Sequence, residues 1–281
     1  MIRLATERGE IEIRPELGAG VTVFRWDGRD VLRPTPADAD DVLQTGNFVL
    51  APFCNRIRDG VFNFEGRQVL LAPNLGDHPH ALHGQAWRQA WRVVTQTASS
   101  IELAYDHAPG DWPWRYEAAQ TISLTDTGLV HTATLTNTDV HPMPAGLGFH
   151  PAFPAPPGTH LRADVRGVWM IDDEVMPTDW RPMGWGPDWR TGVAVESGVF
   201  VDNSYTDWGG VAVLSGRDRP SVRLEGSSNC PWLHVFAPVG GGFVCVEPVS
   251  NRPDPFNGED SGIQVLAAGE AMTVSMRLTV D

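Results

Sequence analysis

Hydrophobic and polar residues alternate with the two-residue period of β-strands over much of this chain. In residues 120–137, Ile122 and Leu124 alternate with polar neighbours as far as Thr125-Asp126-Thr127-Gly128. Beyond that turn Leu129, His131, Ala133 and Leu135 alternate with Val130 and three threonines. The pattern predicts a hairpin with one face towards a core, His131 included as a sheet residue. Shorter β-rich runs recur at residues 21–26, 62–71, 91–95, 101–105, 210–214, 221–224, 233–236, 243–246 and 272–280. Gly (29) and Pro (23) punctuate these runs as in an antiparallel sandwich or barrel. No segment longer than about three turns keeps a helical stripe. The one helix candidate is residues 35–43, whose acidic residues suit a first turn. The expected fold class is all-β, a large antiparallel β-sandwich.

No internal repeat or low-complexity linker divides the chain, so a single domain over residues 1–281 is expected. Residues 176–192 are rich in Pro, Gly and Trp and resemble a boundary. Four of the 11 tryptophans lie from Trp169 to Trp189, however, more apolar surface than a solvated linker carries. The stretch reads as a packed excursion on that domain.

Composition narrows the function. With 42% hydrophobic and 20% charged residues over 281 positions, the chain can bury a substantial core. Its formal net charge is −14, and all 21 cations are Arg. Without lysine there is no Schiff base, no pyridoxal-phosphate anchor and no P-loop lysine. The anionic balance also disfavours nucleic acid as a partner. Cys54, Cys230 and Cys245 are too far apart for a CxxC pair or zinc knuckle. The first residues lack a signal-peptide stretch, and no run nears the roughly 20 apolar residues that span a bilayer. A soluble cytoplasmic protein without membrane partners is expected.

Four short segments place ionisable groups in apolar strand-and-turn contexts. They are Asn55-Arg56-Ile57-Arg58, Ala81-Leu82-His83-Gly84, Gly148-Phe149-His150-Pro151 and Cys245-Val246-Glu247-Pro248. Alternation puts Glu247 on one face with Cys245 and Phe243, where a carboxylate needs a partner or a purpose. A buried pair with an Arg and a reactive carboxylate both remain open at this point.

Taken together, Pro52-Phe53-Cys54-Asn55-Arg56-Ile57, Leu82-His83-Gly84, residues 146–151 and Cys245-Val246-Glu247-Pro248, with Pro253-Asp254 and Asn257, resemble the aldose 1-epimerase family. Their order and separations fit over about residues 45–260, and the segment from Gly110 to Trp114 resembles that family's Pro-aromatic loop. The resemblance implies the galactose mutarotase-like supersandwich with a sugar in a cleft on the sheet. It further implies cofactor-free interconversion of the α and β anomers of an aldose, by a monomer or homodimer. By motif, Glu247 matches the general base and His150 the general acid. Arg56 and His83 match substrate-positioning residues, and Asn55 joins them. Asp202 is the best match to the carboxylate that holds sugar hydroxyls, with Asp207 as a rival. Trp114 is the first choice among the aromatics for stacking on the sugar. Two departures bear on the site: Ala152 replaces an aromatic and could enlarge the cleft, and Gln85 replaces a second Gly.

The chemistry needs these residue types. Opening a hemiacetal ring takes the proton from the anomeric hydroxyl while the ring oxygen receives one, and a carboxylate and an imidazolium on opposite sides do both. Return to either anomer then favours a Glu raised by apolar surroundings and a His held partly cationic by a carboxylate. No metal is expected. His78, His80 and His83 spell a ligand-like pattern, but Pro79 interrupts it and no fourth ligand is obvious. Two alternatives keep the fold: epimerisation of a hexose 6-phosphate held by Arg56 and Arg58, and sugar binding without catalysis.

Overall fold

A computed structural model describes residues 1–195 and 198–281. Among them, nine strands form one antiparallel sheet, ordered Arg92–Gln96, Ser100–His107, Tyr116–Thr125, Gly128–Asn137, Ala271–Val280, Val222–Gly226, Val211–Ser215, His160–Ala163 and Val193–Ala194. A second, eight-stranded sheet runs Pro177–Pro182, Gly167–Ile171, Val201–Thr206, Trp232–Ala237, Phe243–Val249, Gly148–Phe149 and Val49–Leu50, with Ala152–Pro154 also paired to Phe243–Val249. The first residues add a four-stranded sheet, Ile2–Ala5, Gly9–Arg14, Gly20–Trp26 and Arg29–Asp30.

The alternation read from residues 120–137 holds. Tyr116–Thr125 pairs with Gly128–Asn137 in the register Ile122 to His131 and Leu124 to Leu129. Leu129, Leu135, Val274 and Leu278 from the first sheet and Leu233, Val235, Val244 and Val246 from the second lie in one hydrophobic core. Each such fully buried aliphatic stabilises the fold by about 1.5–3 kcal/mol relative to leaving it exposed. His131 is buried among them and satisfied on both nitrogens, by Asn47 at 2.9 Å and Gln120 at 2.8 Å.

Three expectations need correction. Residues 35–43 do not form a helix: only a single 3-10 turn, Val42–Gln44, is present, capped by the Asp41 side chain and closed by Gln44. The acidic residues there serve one cap rather than a helical first turn, because Pro34 and Pro36 hold the preceding chain extended. Residues 62–71 are a hairpin rather than one run, turning at Glu65-Gly66 with both residues at positive φ. The Trp-rich excursion is packed only in part. Trp189 is buried, whereas Trp180 and Trp185 on the sheet's outer edge are about half exposed.

The second sheet positions the chemistry. Its inner face supplies Val244 and Val246 to the core, so the two-residue period turns Phe243, Cys245 and Glu247 outward together. On the neighbouring strand Leu233 and Val235 face inward and His234 and Phe236 outward.

Candidate active site

A cavity of about 270 Å³ opens on that outer face, close to the lower end of small-molecule sites. Its floor is Glu247, Cys245, Phe243, His234, Phe236 and Asp202. Its walls come from loops and short strands: Asn55 and Arg56, Leu82 and His83, His150, and Leu43 with Leu75. The four motif-bearing segments, far apart in the chain, therefore converge on one hollow.

Glu247 and His150 face each other there, with His150 Nε2 3.3 Å from Glu247 Oε1. The carboxyl is 2% exposed and the imidazole 12%. His150 stacks on Phe48 with ring centroids 4.5 Å apart, which fixes the plane of the imidazole. Phe48 in turn follows Asn47, anchored to His131 in the core. Burial pushes the Glu247 carboxyl well above its ordinary range, and ionised Asp202 nearby pushes the same way. Burial also drives His150 down to about 3, so the imidazole is neutral and not held partly cationic as expected from the sequence. The physical reason is that burial, with the neighbouring His234 and Arg33 adding to it, penalises the cation by more than the Asp202 charge favours it. The two groups are also adjacent rather than on opposite sides of an intervening space. Burial thus pushes both members of the pair towards their neutral forms.

His83 and Asn55 are locked together. The Asn55 amide donates to His83 Nδ1 at 3.0 Å, and the His83 amide donates to the Asn55 carbonyl at 2.9 Å. Because Nδ1 accepts, neutral His83 carries its proton on Nε2, a donor for a ligand in the cavity. Both residues have positive φ, 62° for Asn55 and 56° for His83. Asn tolerates that region, but for His it costs on the order of 1–3 kcal/mol, strain of the kind found at functional sites. Gly84 continues the turn at φ 72°, and a Cβ there would lie 2.3 Å from the Ala51 carbonyl oxygen. Gln85 has an ordinary negative φ of −107°, so that position has no need of the second Gly.

Asp202 and not Asp207 enters the cavity: Asp207 lies just beyond the strand that carries Asp202. Asp202 Oδ1 is 2.8 Å from His234 Nε2, and its Oδ2 accepts from Arg56 Nη2 at 3.3 Å. Burial works to raise the Asp202 pKa, but the His234 hydrogen bond and the Arg56 charge outweigh it and leave the group lowered. Two nearby carboxylates are thereby driven in opposite directions, Asp202 down and Glu247 up. Arg56 Nε is buried without a partner, a spare donor on a cavity-lining side chain. Arg58, by contrast, pairs with Asp172 at 3.2 Å and does not line the cavity.

Trp114 is not brought to the site. It is buried in the core against Trp112 and Phe64, on a loop whose aromatic side chains fill space under Phe53 and Phe62. Ala152 pairs in register with Cys245, which puts its Cβ on the same face of the sheet as that cavity-lining residue, although Ala152 does not itself line the cavity. His80 is fully buried, accepting the Asp59 amide proton on Nδ1 at 3.0 Å, and neither it nor His78 reaches the cavity. Among the described residues, the set of three close enough to share a metal ion is His150, Cys245 and Glu247, their ligand atoms within 4.8 Å of one another.

Sequence reasoning missed His234. The available signal was its position between the inward-facing Leu233 and Val235, which sends it to the outer face, opposite Glu247 in the strand register. Leu43, Leu75 and Phe236 also had no motif to mark them as lining the cavity.

A family model, aldose 1-epimerase, matches residues 1–279. The Escherichia coli K12 protein YphB, itself uncharacterized, is 28% identical over 244 residues, covering 83% of each chain. A second uncharacterized protein of the same organism, YihR, is 29% identical over 262 residues, 89% of this chain and 83% of its own. Among solved structures, a candidate aldose 1-epimerase from E. coli K12 superposes with a TM-score of 0.92 at 26% identity, over 99% of this chain and 98% of its own. A galactose mutarotase-like protein from Clostridium acetobutylicum shares the fold at a TM-score of 0.87 and 20% identity, over 99% and 94% of the two chains. With the sheet, the cleft and the whole-length match in agreement, the chain belongs to the aldose 1-epimerase family.

Proposed function

We propose that this protein is an aldose 1-epimerase acting on a neutral sugar, with Glu247 and His150 as its proton-transfer pair. The observation that carries the reading is the 3.3 Å approach of two oppositely shifted titratable groups at the floor of a sugar-sized cavity. The anomeric hydroxyl and the ring oxygen are bonded to the same carbon, so two groups this close can serve both. With a proton moved from Glu247 to His150, the carboxylate takes the anomeric proton and the imidazolium protonates the ring oxygen. The ring bond breaks, the aldehyde forms, and Glu247 is left protonated beside a neutral His150. That is the arrangement burial favours, so ring opening relieves the charge separation that burial penalises. Rotation about the C1–C2 bond and the reverse transfers close the ring as the other anomer.

The other polar groups have matching roles. Asp202, held ionised by His234 and Arg56, accepts from sugar hydroxyls, while His83 Nε2–H, Arg56 and the Asn55 side chain supply donors. A neutral sugar is favoured over a 6-phosphate because Arg56 is matched by Asp202 and Arg58 is turned to Asp172 and Asp254. A phosphate would have to displace carboxylates that already balance both charges.

The test is polarimetry or exchange NMR on several aldoses with wild type, Glu247→Gln and His150→Asn. Each variant is expected to lose on the order of 10²-fold or more of the acceleration while keeping the wild-type circular dichroism. Near-normal rates in either folded variant would refute the assignment of the pair. Sugar binding with no acceleration in wild type would instead mark a non-catalytic protein.

A further inference from the structure

Cys245 faces the cavity between the groups assigned to proton transfer, and ring opening makes no use of its thiol. The strand Phe243–Val249 turns Cys245 and Glu247 to one face two residues apart, and Ala152, in register with Cys245, brings His150 alongside. A ring nitrogen of His150, the Cys245 Sγ and a Glu247 carboxyl oxygen lie within 4.8 Å of one another. Among the described residues, no hydrogen bond holds the Cys245 thiol or the Glu247 carboxyl.

The spacing matches a tetrahedral ion. Zn²⁺ held at about 2.0–2.2 Å by nitrogen and oxygen and about 2.3 Å by sulfur sets its ligand atoms about 3.3–3.6 Å apart. His150 Nε2 and Glu247 Oε1 already stand 3.3 Å apart. The thiol has to close from 4.8 Å at most to about 3.6 Å, a shift that one χ1 adjustment of Cys245 supplies. The remaining side of the set faces the cavity, where a water or a sugar hydroxyl gives the fourth ligand, as in zinc sites with an open position.

The donor set also selects the ion. A thiolate with an imidazole favours Zn²⁺ over Mg²⁺ and Ca²⁺, which take oxygen ligands. The thiolate and the carboxylate balance the ion's two charges, so it enters the buried floor as a neutral assembly while the thiol and carboxyl protons pass to solvent. Asp202 adds attraction for a cation, and the Arg33 charge favours the Cys245 thiolate.

We propose that the cleft is a zinc-inhibited site: Zn²⁺ held by His150, Cys245 and Glu247 ties down both proton-transfer groups and arrests anomer exchange. The inhibition rests on the epimerase reading, whereas the binding stands on the ligand geometry alone.

The experiment uses the full chain dialysed against chelator, as wild type, Cys245→Ala and Cys245→Ser. Co²⁺ added to wild type should give the intense visible bands of a four-coordinate ion and a near-ultraviolet thiolate-to-cobalt band, and both variants should lose the latter. Micromolar Zn²⁺ should remove most of the polarimetric acceleration, EDTA should restore it, and millimolar Mg²⁺ should leave it unchanged. Each variant is read against its own metal-free rate, and loss of the thiol should raise the half-inhibiting Zn²⁺ concentration by about 100-fold. Should neither variant fold, the wild-type cobalt spectrum decides, and a six-coordinate spectrum without the thiolate band overturns the proposal. Zn²⁺ inhibition that survives in both variants, no inhibition at all, or acceleration by Zn²⁺ also overturns it and leaves the epimerase reading standing. If the metal-free protein accelerates no sugar, the epimerase reading falls and the inhibition with it. The cobalt spectrum and Zn²⁺ competition against a chromophoric chelator then test the site alone: binding that both variants lose supports it, and binding that they keep, or none, overturns it.

Discussion

Replacing Glu247 by Gln should make the protein more stable as pH rises above the ordinary carboxylate range, even as it removes the proposed chemistry. The carboxyl is 2% exposed and raised well above its ordinary 4.5 by burial, with Asp202 adding to the shift. Above pH 4.5 the unfolded chain releases this proton and the folded chain keeps it, so folding stability falls as pH rises until the raised value is reached. The slope of that loss is about 1.4 kcal/mol per pH unit for one group. Gln has the shape of the protonated acid and no such slope. His150, lowered to about 3, acts in the opposite sense: the unfolded imidazole binds a proton below 6.5 while the folded one does not, so stability falls as pH drops from 6.5 towards 3. That contribution is common to both proteins and cancels in their difference. Urea denaturation of wild type and Glu247→Gln at half-unit steps upward from pH 5 should therefore give curves that diverge in favour of Gln until the raised value is passed. For a chain of this size the gap corresponds to a melting-temperature difference growing by roughly 3–6 °C per pH unit. Parallel curves would show that folding does not raise the Glu247 carboxyl, and the description of the pair would fail.

Other consequences follow from the same geometry. His234→Ala removes the 2.8 Å partner of Asp202 and should lower kcat/KM by roughly 10–100-fold, largely through KM, as expected for a hydrogen bond to a charged group. A change confined to kcat would instead place His234 with the proton-transfer pair. Gly84→Ala puts a Cβ 2.3 Å from the Ala51 carbonyl at a φ of 72°, and calorimetry should show a loss of at least about 1–3 kcal/mol as the His83 turn is displaced. Trp114→Phe should lower the melting temperature through lost core packing and leave KM for a monosaccharide unchanged. A raised KM with unaltered melting would return Trp114 to the sugar.

Much of the site was readable because short motifs preserve local chemistry. Asn55, Arg56, His83, His150 and Glu247 all line the cavity, and the period of two correctly put Phe243, Cys245 and Glu247 on one face. His234 obeys the same period, yet a lone His in an apolar strand looks alike whether its neighbour across the register is a Val or a Glu. Trp114 was misplaced because a Pro-rich loop does not reveal which way its aromatics point, and here they fill the core. The expected helix at residues 35–43 failed because acidic residues suit both a helix start and a single capped turn.

Strand alternation is a local property: it follows from backbone geometry, so the amino-acid order alone established the β class, the hairpin register of residues 120–137 and the shared face around Glu247. Which faces meet is not local. The 3.3 Å approach of His150 to Glu247 and the choice of Asp202 over Asp207 depend on strands joined across long stretches of chain. Protonation is less local still. The cost of burying a charge depends on everything packed around it, and folding therefore makes neutral a His150 that was expected to be partly cationic.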